Sequence, residues 1–242
     1  MNITGSTALV TGANRGIGLA IVRELLARGA DKVYAAARDT STVPKLDRVV
    51  PVHLDVTDHS RVEVLATELV DVDLVVNNAG IGLASPALGR DAVAAARAEL
   101  EVNFFGPLVV SRAFAPVLAA NDGGAIVNIL SILSFMSSAE LATYSASKSA
   151  AWSLTNALRL ELADQGTLVV GVHPGYVDTD LVAALDVPKI PAATVASATL
   201  DAVQHEQPEA LVDEPTRTVK AALSRDQELI YPGVLADRAD AS

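Results

Sequence analysis

The sequence predicts a doubly wound α/β domain, on three observations. Short runs that are apolar throughout, such as "LVVGVH" and "VDLVVNN", alternate with stretches whose apolar residues recur at helical spacing; a glycine-rich turn follows the first run; and half of the 242 residues are apolar. Strands with one wet face alternate in polarity, whereas unbroken apolar strands separated by helices imply a parallel sheet covered on both faces. A chain of this length and apolar content buries a core without staples, and the absence of cysteine excludes disulfides, thiolate zinc sites and Cys nucleophiles.

The elements follow in order. "STALVT" is a strand ending in a glycine turn, and "IGLAIVRELLARG" has the periodicity of the first helix. "KVYAAA" is a second strand followed by a polar loop, and "VVPVHL" a third followed by the helix "DHSRVEVLATEL". "VDLVVNN" leads into a helical stretch reaching about Ala120, "GAIVNIL" into the long helix "ATYSASKSAAWSLTNALRLELADQ", and "LVVGVH" into a loop. From Asp178 to about Ala192 the chain is irregular, with Pro188 and Pro191, before the helix "AATVASATLDAVQ". Loops at the carboxyl ends of the strands line the crevice of such a fold, so about 178–192 is the expected substrate loop. No fixed repeat, low-complexity tract or linker divides the chain, which predicts one Rossmann-type domain over 1–242 with a sheet of about seven strands.

Net charge is −11 with no basic block, which argues against nucleic acid or anionic lipid as partner. "GPLVVSRAFAPVLAA" carries Arg112 and Pro116 and falls short of the roughly 20 apolar residues a bilayer span needs. The first residues lack a basic segment followed by an apolar one, so no secretory signal is read and the expected location is cytoplasmic. His53, His59, His173 and His205 show no metal-ligand spacing, so no metal site is expected; His173, just before a turn, reads as structural.

"TGANRGIG" places Gly12, Gly16 and Gly18 between the first strand and first helix, where backbone approaches a pyrophosphate closely and the helix N-terminus favours its charge. Asn14, Arg15 and Ile17 complete this candidate cofactor turn. The spacing differs from the general G-x-G-x-x-G fingerprint, and a turn in which glycines only relieve crowding is the alternative. Arg38 lies 38 − 18 = 20 residues past Gly18, where an acid would take a ribose hydroxyl and an Arg accommodates a 2′-phosphate. With Arg15 as a second guanidinium, NADP(H) is expected over NAD(H). The alternative leaves Arg38 in solvent and gives the ribose to Asp39. Asp55, with Val56 beside it in "LDV", accepts from the adenine amino group or caps the next helix.

Taken together, "TGANRGIG", "LDV", "NNAG" (77–80), "EVNFFGP", "IVNILS", "YSASK" and "HPGYVDT" resemble the short-chain dehydrogenase/reductase family in its single-domain form, from residue 7 to 180. The resemblance implies a nicotinamide-dependent oxidoreductase with Asn103, Ser131, Tyr144 and Lys148 as its catalytic group. Tyr144 and Lys148, four positions apart, share one helix face. A phenol has a pKa of about 10, and a neighbouring ammonium is expected to lower it toward a useful general acid or base. Ser131 hydrogen-bonds the substrate oxygen and stabilises charge that develops there; Ser134 falls further into the loop, and Leu130 stands where the family often has a first serine. The resemblance also implies that Lys148 holds the nicotinamide ribose and that the Asn103 backbone holds a water on the proton path.

Asn78, Ala79 and Gly80 end the fourth strand beside the expected cofactor, next to Asn77. Pro174, Gly175, Val177 and Thr179 follow the sixth strand, with Thr179 facing the nicotinamide carboxamide. Leu133, Phe135, Met136, Leu141, Tyr176, Leu181 and Val182 give the expected pocket an apolar mouth if they face it, and core packing is the competing reading. The substrate is then a small carbonyl compound or alcohol with apolar bulk. An NAD-linked dehydrogenase of a hydroxy-metabolite and a non-catalytic NADP-binding redox sensor are the alternatives. Alanine-rich helices around 90–120 and 142–164 correspond to those that pair family subunits into dimers and tetramers.

Overall fold

The computed structural model describes residues 1–180 and 186–224. Seven strands, β1 (Thr7–Thr11), β2 (Lys32–Ala37), β3 (Val49–His53), β4 (Leu74–Asn77), β5 (Ala125–Ile129), β6 (Leu168–His173) and β7 (Glu209–Leu211), form one sheet in the order β3-β2-β1-β4-β5-β6-β7. Every neighbouring pair is parallel. The helices are α1 (Gly16–Ala27), α2 (His59–Glu68), α3 (Ala92–Leu100), α4 (Gly106–Ala120), α5 (Ala142–Glu161), α6 (Ala192–Gln204) and α7 (Glu214–Ala222).

The unbroken apolar runs have a direct explanation in the packing. Val10, Val76, Val127 and Val172 point to one face, beneath Ile21 and Leu25 of α1 and Val195 and Leu200 of α6. Their neighbours Leu9, Val75, Ile126 and Val169 point to the other, beneath Leu65 of α2, Phe114 and Leu118 of α4 and Leu158 of α5. With helices on both faces, each successive residue of a strand enters a core.

α3 and α4 are joined without a break by a π-helical turn, Glu101–Phe105. The resulting helix, Ala92–Ala120, has 29 residues and is by length and composition able to cross a bilayer, longer than its apolar stretch suggested. Its apolar side is explained by Val110, Phe114 and Leu118, which are fully buried within the core beneath the sheet. β7 and α7 are additions to the six strands and the helices read along the sequence. β1 pairs with β2 on one side and β4 on the other, so the order reverses there and a crevice opens at the carboxyl ends of these strands.

Candidate functional site

The glycine turn lies at that crevice. Gly12 and Gly16 have φ of +63° and +55°, a region side chains rarely tolerate, and a Cβ on Gly18 would sit 2.3 Å from the Gly12 carbonyl oxygen. Asn78 staples the turn to β4: its Nδ2 donates to the carbonyls of Thr11 (2.8 Å) and Gly12 (3.1 Å), and the Thr11 hydroxyl oxygen accepts from the Asn78 and Ala79 N–H groups. The Asn78 side chain is thus spent on the protein. Arg15, the N-cap of α1, makes no side-chain cap, and no acidic residue occupies the first turn. A helix start with uncapped N–H groups, no negative charge and glycine backbone in front fits a pyrophosphate.

The part of the crevice beyond β2 and β3 is more open. Arg38 is exposed just beyond β2, and Arg15 forms an exposed ion pair with Asp180. Asn14 donates to the Thr42 hydroxyl at 3.0 Å. Asp39 accepts from the Ser41 hydroxyl (2.6 Å) and N–H (2.9 Å), and these bonds hold its carboxyl below the usual range. Asp55 accepts from the Thr57 N–H and hydroxyl, whereas Asp58 caps α2 through the Arg61 N–H. The helix-cap reading of Asp55 is therefore corrected: three residues later, Asp58 has the reach. Val56 is buried, packed close against Gly106.

At the other end, Ser131, Tyr144 and Lys148 converge. Ser131 follows β5, its hydroxyl accepts from the Leu133 N–H (3.1 Å), and its side chain lies beside the Tyr144 phenol. Lys148 Nζ lies 5.7 Å from the centre of the Tyr144 ring and donates to the Ile129 carbonyl at 2.9 Å. Burial pushes the phenol up to about 12, an effect that Ser131 opposes and Glu99 reinforces. Burial also lowers Lys148 to about 8. Acidification of Tyr144 by Lys148 is thus not what the protein alone provides. Removing a phenolate from water costs more than this amine returns, because the amine is desolvated too and is engaged by a carbonyl.

Asn103 sits in the π-helical turn with its side chain fully used. It donates to the Ile81 carbonyl and the Ser147 hydroxyl and accepts from the Ile81 N–H, each at 2.9 Å. Gly80 lies between Asn103 and Lys148: a Cβ there would be 3.2 Å from Asn103 Oδ1 and 3.7 Å from Lys148 Nζ. One helical turn earlier, Glu99 is fully buried and accepts from the Leu83 N–H at 2.8 Å, while its second oxygen has no hydrogen-bond partner. The sequence reading missed Glu99. The signal was available, since Ala92, Ala95 and Glu99 form the buried stripe of α3.

Behind Ser131, the Ser134 hydroxyl donates to the Ser131 carbonyl and lies 3.1 Å from His173 Nδ1. His173 is fully buried, its ring stacks on Phe135 at 4.2 Å, and burial lowers it to about 4. Its Nε2 lies 4.0 Å from Glu209, and Lys220 of α7 covers Phe135 and Trp152 at 4.7 and 4.9 Å. Phe135 is therefore a core residue and leaves the set of pocket-mouth candidates. Leu133, Met136 and Leu141 are half-buried and Tyr176 is exposed; Leu181 and Val182 lie outside the described residues.

The loop after β6 meets the glycine turn. A Cβ on Gly16 would be 3.3 Å from the Thr179 methyl carbon, and the Thr179 hydroxyl donates to the Val177 carbonyl. Pro174 accepts from the Ile132 N–H, and Gly175 donates to Asp213, which also caps α7. Val177 bridges Ile190, tying the two ends of the expected substrate loop together.

A seven-stranded doubly wound sheet with a glycine turn at its switch point defines a nucleotide-binding α/β protein. The family model described as short chain dehydrogenase matches residues 6–189. A short-chain dehydrogenase of Penicillium crustosum is 40% identical over 183 residues, 72% of this chain and 66% of that relative, so this chain spans just under two thirds of its length. Cis-4-hydroxycyclohexanecarboxylate dehydrogenase of Sinomonas cyclohexanicum is 37% identical over 74% of this chain and 76% of its own. The crystal structure of a short chain dehydrogenase from Burkholderia cenocepacia in complex with NADP superposes with a TM-score of 0.92, 39% identity, and coverage of 97% and 99% of the two chains. The chain belongs to the short-chain dehydrogenase/reductase family, whose members are nicotinamide-dependent oxidoreductases.

Proposed function

We propose that this protein is an NADP(H)-dependent oxidoreductase that interconverts a carbonyl compound and its alcohol, with Tyr144 as general acid and base. The observation that carries the proposal is the phenol of Tyr144, with Ser131 beside it and, 5.7 Å from its ring centre, a lysine buried at 5% exposure. A phenol that the protein keeps protonated, pushed up to about 12, is poised to donate its proton to a substrate oxygen. Ser131 orients that oxygen, and Lys148, held by Ile129, faces the cofactor ribose. The turn Gly12, Asn14, Gly16, Ile17 and Gly18 takes the pyrophosphate, Arg15 joins Arg38 at the 2′-phosphate, and Asp55 and Val56 border the adenine. Ala79, Gly80, Pro174, Gly175, Val177 and Thr179 border the nicotinamide half. Nicotinamide, when bound, supplies or accepts the hydride.

Arg38, exposed and next to the end of β2, takes the 2′-phosphate; Asp39, whose Oδ1 is engaged by Ser41, is less free to take a ribose. Half-buried Leu133, Met136 and Leu141 make the expected substrate apolar in bulk. Val93, Phe105 and Leu160 leave 65%, 40% and 81% of their surfaces exposed on the helices expected to pair subunits, which supports a homodimer or homotetramer. Sedimentation tests that assembly. Absorbance of NADPH against a panel of ketones and aldehydes tests the reaction; consumption by the parent and none by Tyr144→Phe is the expected result.

A further inference from the structure

Ser134 and His173 are buried polar residues behind Ser131 that the proposed reaction does not use. The backbone on either side of Ser131 is tied to the end of β6: the Leu130 N–H donates to the Val172 carbonyl and the Ile132 N–H to the Pro174 carbonyl, each at 2.8 Å. The Ser131 carbonyl between them is met by side chains instead. The Ser134 hydroxyl donates to it, and His173 Nδ1 lies 3.4 Å from it and 3.1 Å from the Ser134 hydroxyl oxygen. Ser134 is also tied to the helix of Tyr144 and Lys148, because its carbonyl accepts from the Ser149 hydroxyl of α5 at 3.0 Å. One small node therefore joins the loop after β5, the end of β6 and α5.

The chemistry of the node fixes the state of the ring. A carbonyl oxygen only accepts, and Ser134 spends its one hydroxyl proton on that carbonyl, so both neighbours of His173 Nδ1 call for a donor. A neutral imidazole has a single ring proton, and burial, which lowers the group to about 4, keeps it neutral at ordinary pH. The proton then sits on Nδ1 and Nε2 is bare. The other side of the ring agrees: among the described residues Nε2 has no hydrogen-bond partner, and Glu209, 4.0 Å away, is engaged by Lys220 at 2.9 Å. Phe135, stacked at 4.2 Å with 17° between the planes, fixes the plane of the imidazole. A leucine would pack on Phe135 without leaving a ring nitrogen unpaired in the core. What histidine adds is a donor aimed at Ser131 and Ser134.

We propose that His173 and Ser134 are positioning residues for Ser131: together they hold its carbonyl, and with it the backbone that aims its hydroxyl at the substrate oxygen. The inference rests on the reading of Ser131 as the residue that orients that oxygen.

The test has two readouts. Long-range proton–nitrogen correlation spectra of the isotope-labelled protein show which ring nitrogen of each of the four histidines carries the proton, and His173 is assigned by its absence from His173→Asn. At neutral pH the proton is expected on Nδ1; a ring protonated on Nε2 overturns the proposal. With a carbonyl substrate and NADPH, Ser134→Ala and His173→Leu are each expected to lower kcat about tenfold, with KM and NADPH affinity near the parent's, since a misplaced reacting group costs rate. The double variant is expected to lose little more than either alone, because both side chains act on one carbonyl. His173→Asn, whose amide puts a donor near the position of Nδ1, is expected to keep most of kcat. An unchanged kcat in both single variants overturns the proposal. So do equal losses in His173→Asn and His173→Leu, or a fall in NADPH affinity that matches the fall in kcat, which would assign the effect to packing. A parent that turns over no carbonyl compound defeats the proposed reaction, and the grip on Ser131 then stands or falls on the tautomer.

Discussion

The two ends of the cleft are built by different means. At the proposed reaction end, Ser131, Asn103 and Lys148 are buried, and each of their polar side chains is held by a named partner within the fold. At the adenosine end, Arg15 and Arg38 are exposed, and the partner of Arg15 is a single surface carboxylate. Chemistry needs geometry fixed before the substrate arrives, so its groups are locked by packing. Discrimination of a phosphate from a hydroxyl needs only charge within reach, which mobile surface side chains supply. The difference separates two kinds of damage: changes at the buried end should alter rate, and changes at the exposed end should alter which cofactor binds.

The largest effect tests the buried end. Tyr144→Phe removes the proton donor while keeping the ring, so turnover is expected to fall at least about a hundred- to ten-thousand-fold, with cofactor affinity little changed. Comparable losses in turnover and affinity, measured by steady-state rates and cofactor titration, would erase the contrast between the two ends. Ser131→Ala should follow with a loss of about a hundredfold or more in kcat.

Lys148 sharpens the comparison through stability. Its folded value of about 8 lies below the ordinary 10.5, so between these pH values the unfolded chain binds more protons than the folded one. Stability therefore rises with pH across that window from this group, and the full cost of burying the ammonium is present below pH 8. That cost is on the order of 3 kcal/mol, for a value lowered from 10.5 to about 8. Lys148→Met is expected to abolish turnover and raise the melting temperature at neutral pH, with the gain shrinking as pH approaches 10. A melting temperature that falls at pH 7 would show that the Ile129 bond outweighs burial.

That Tyr144 and Lys148 share one helix face was legible in the sequence because helical geometry fixes it: they stand four positions apart on one helix. The strands were legible because both of their faces are buried. β7 was not, since the three residues "EAL" carry too little periodicity to distinguish a strand from a loop. The supports of the site were harder still. Asp213 joins Gly175 to α7 from 38 positions away, and Ser134 reaches His173 across 39, contacts that only the fold creates. The direction of the Tyr144 shift also escaped, because burial is a property of the packed protein and spacing reveals only the neighbouring amine.

At the exposed end, Arg38→Asp replaces the proposed phosphate-binding fork by an acceptor for a ribose hydroxyl. NADPH is expected to bind about tenfold or more weakly and NADH more tightly, so the ratio of the two dissociation constants inverts. Equal or tighter NADH binding in the parent would remove the premise and return the ribose to Asp39.

The smallest effect comes from Asp180, and it asks whether the exposed end is organised at all. Arg15 is paired with Asp180, and both side chains are mostly in solvent, at 67% and 73% exposure. A phosphate recruiting Arg15 must compete with this carboxylate, but exposed pairs are screened by water and salt and contribute little. Asp180→Asn is therefore expected to tighten NADPH binding by no more than about threefold, to leave NADH binding unchanged, and to lose its effect in high salt. A gain that persists in salt, read by cofactor titration, would mean that the pair is as firmly placed as the groups around Tyr144. A gain shared equally by NADH would mean that Asp180 acts on the dinucleotide as a whole, since only NADPH carries the 2′-phosphate that competes with Asp180 for Arg15.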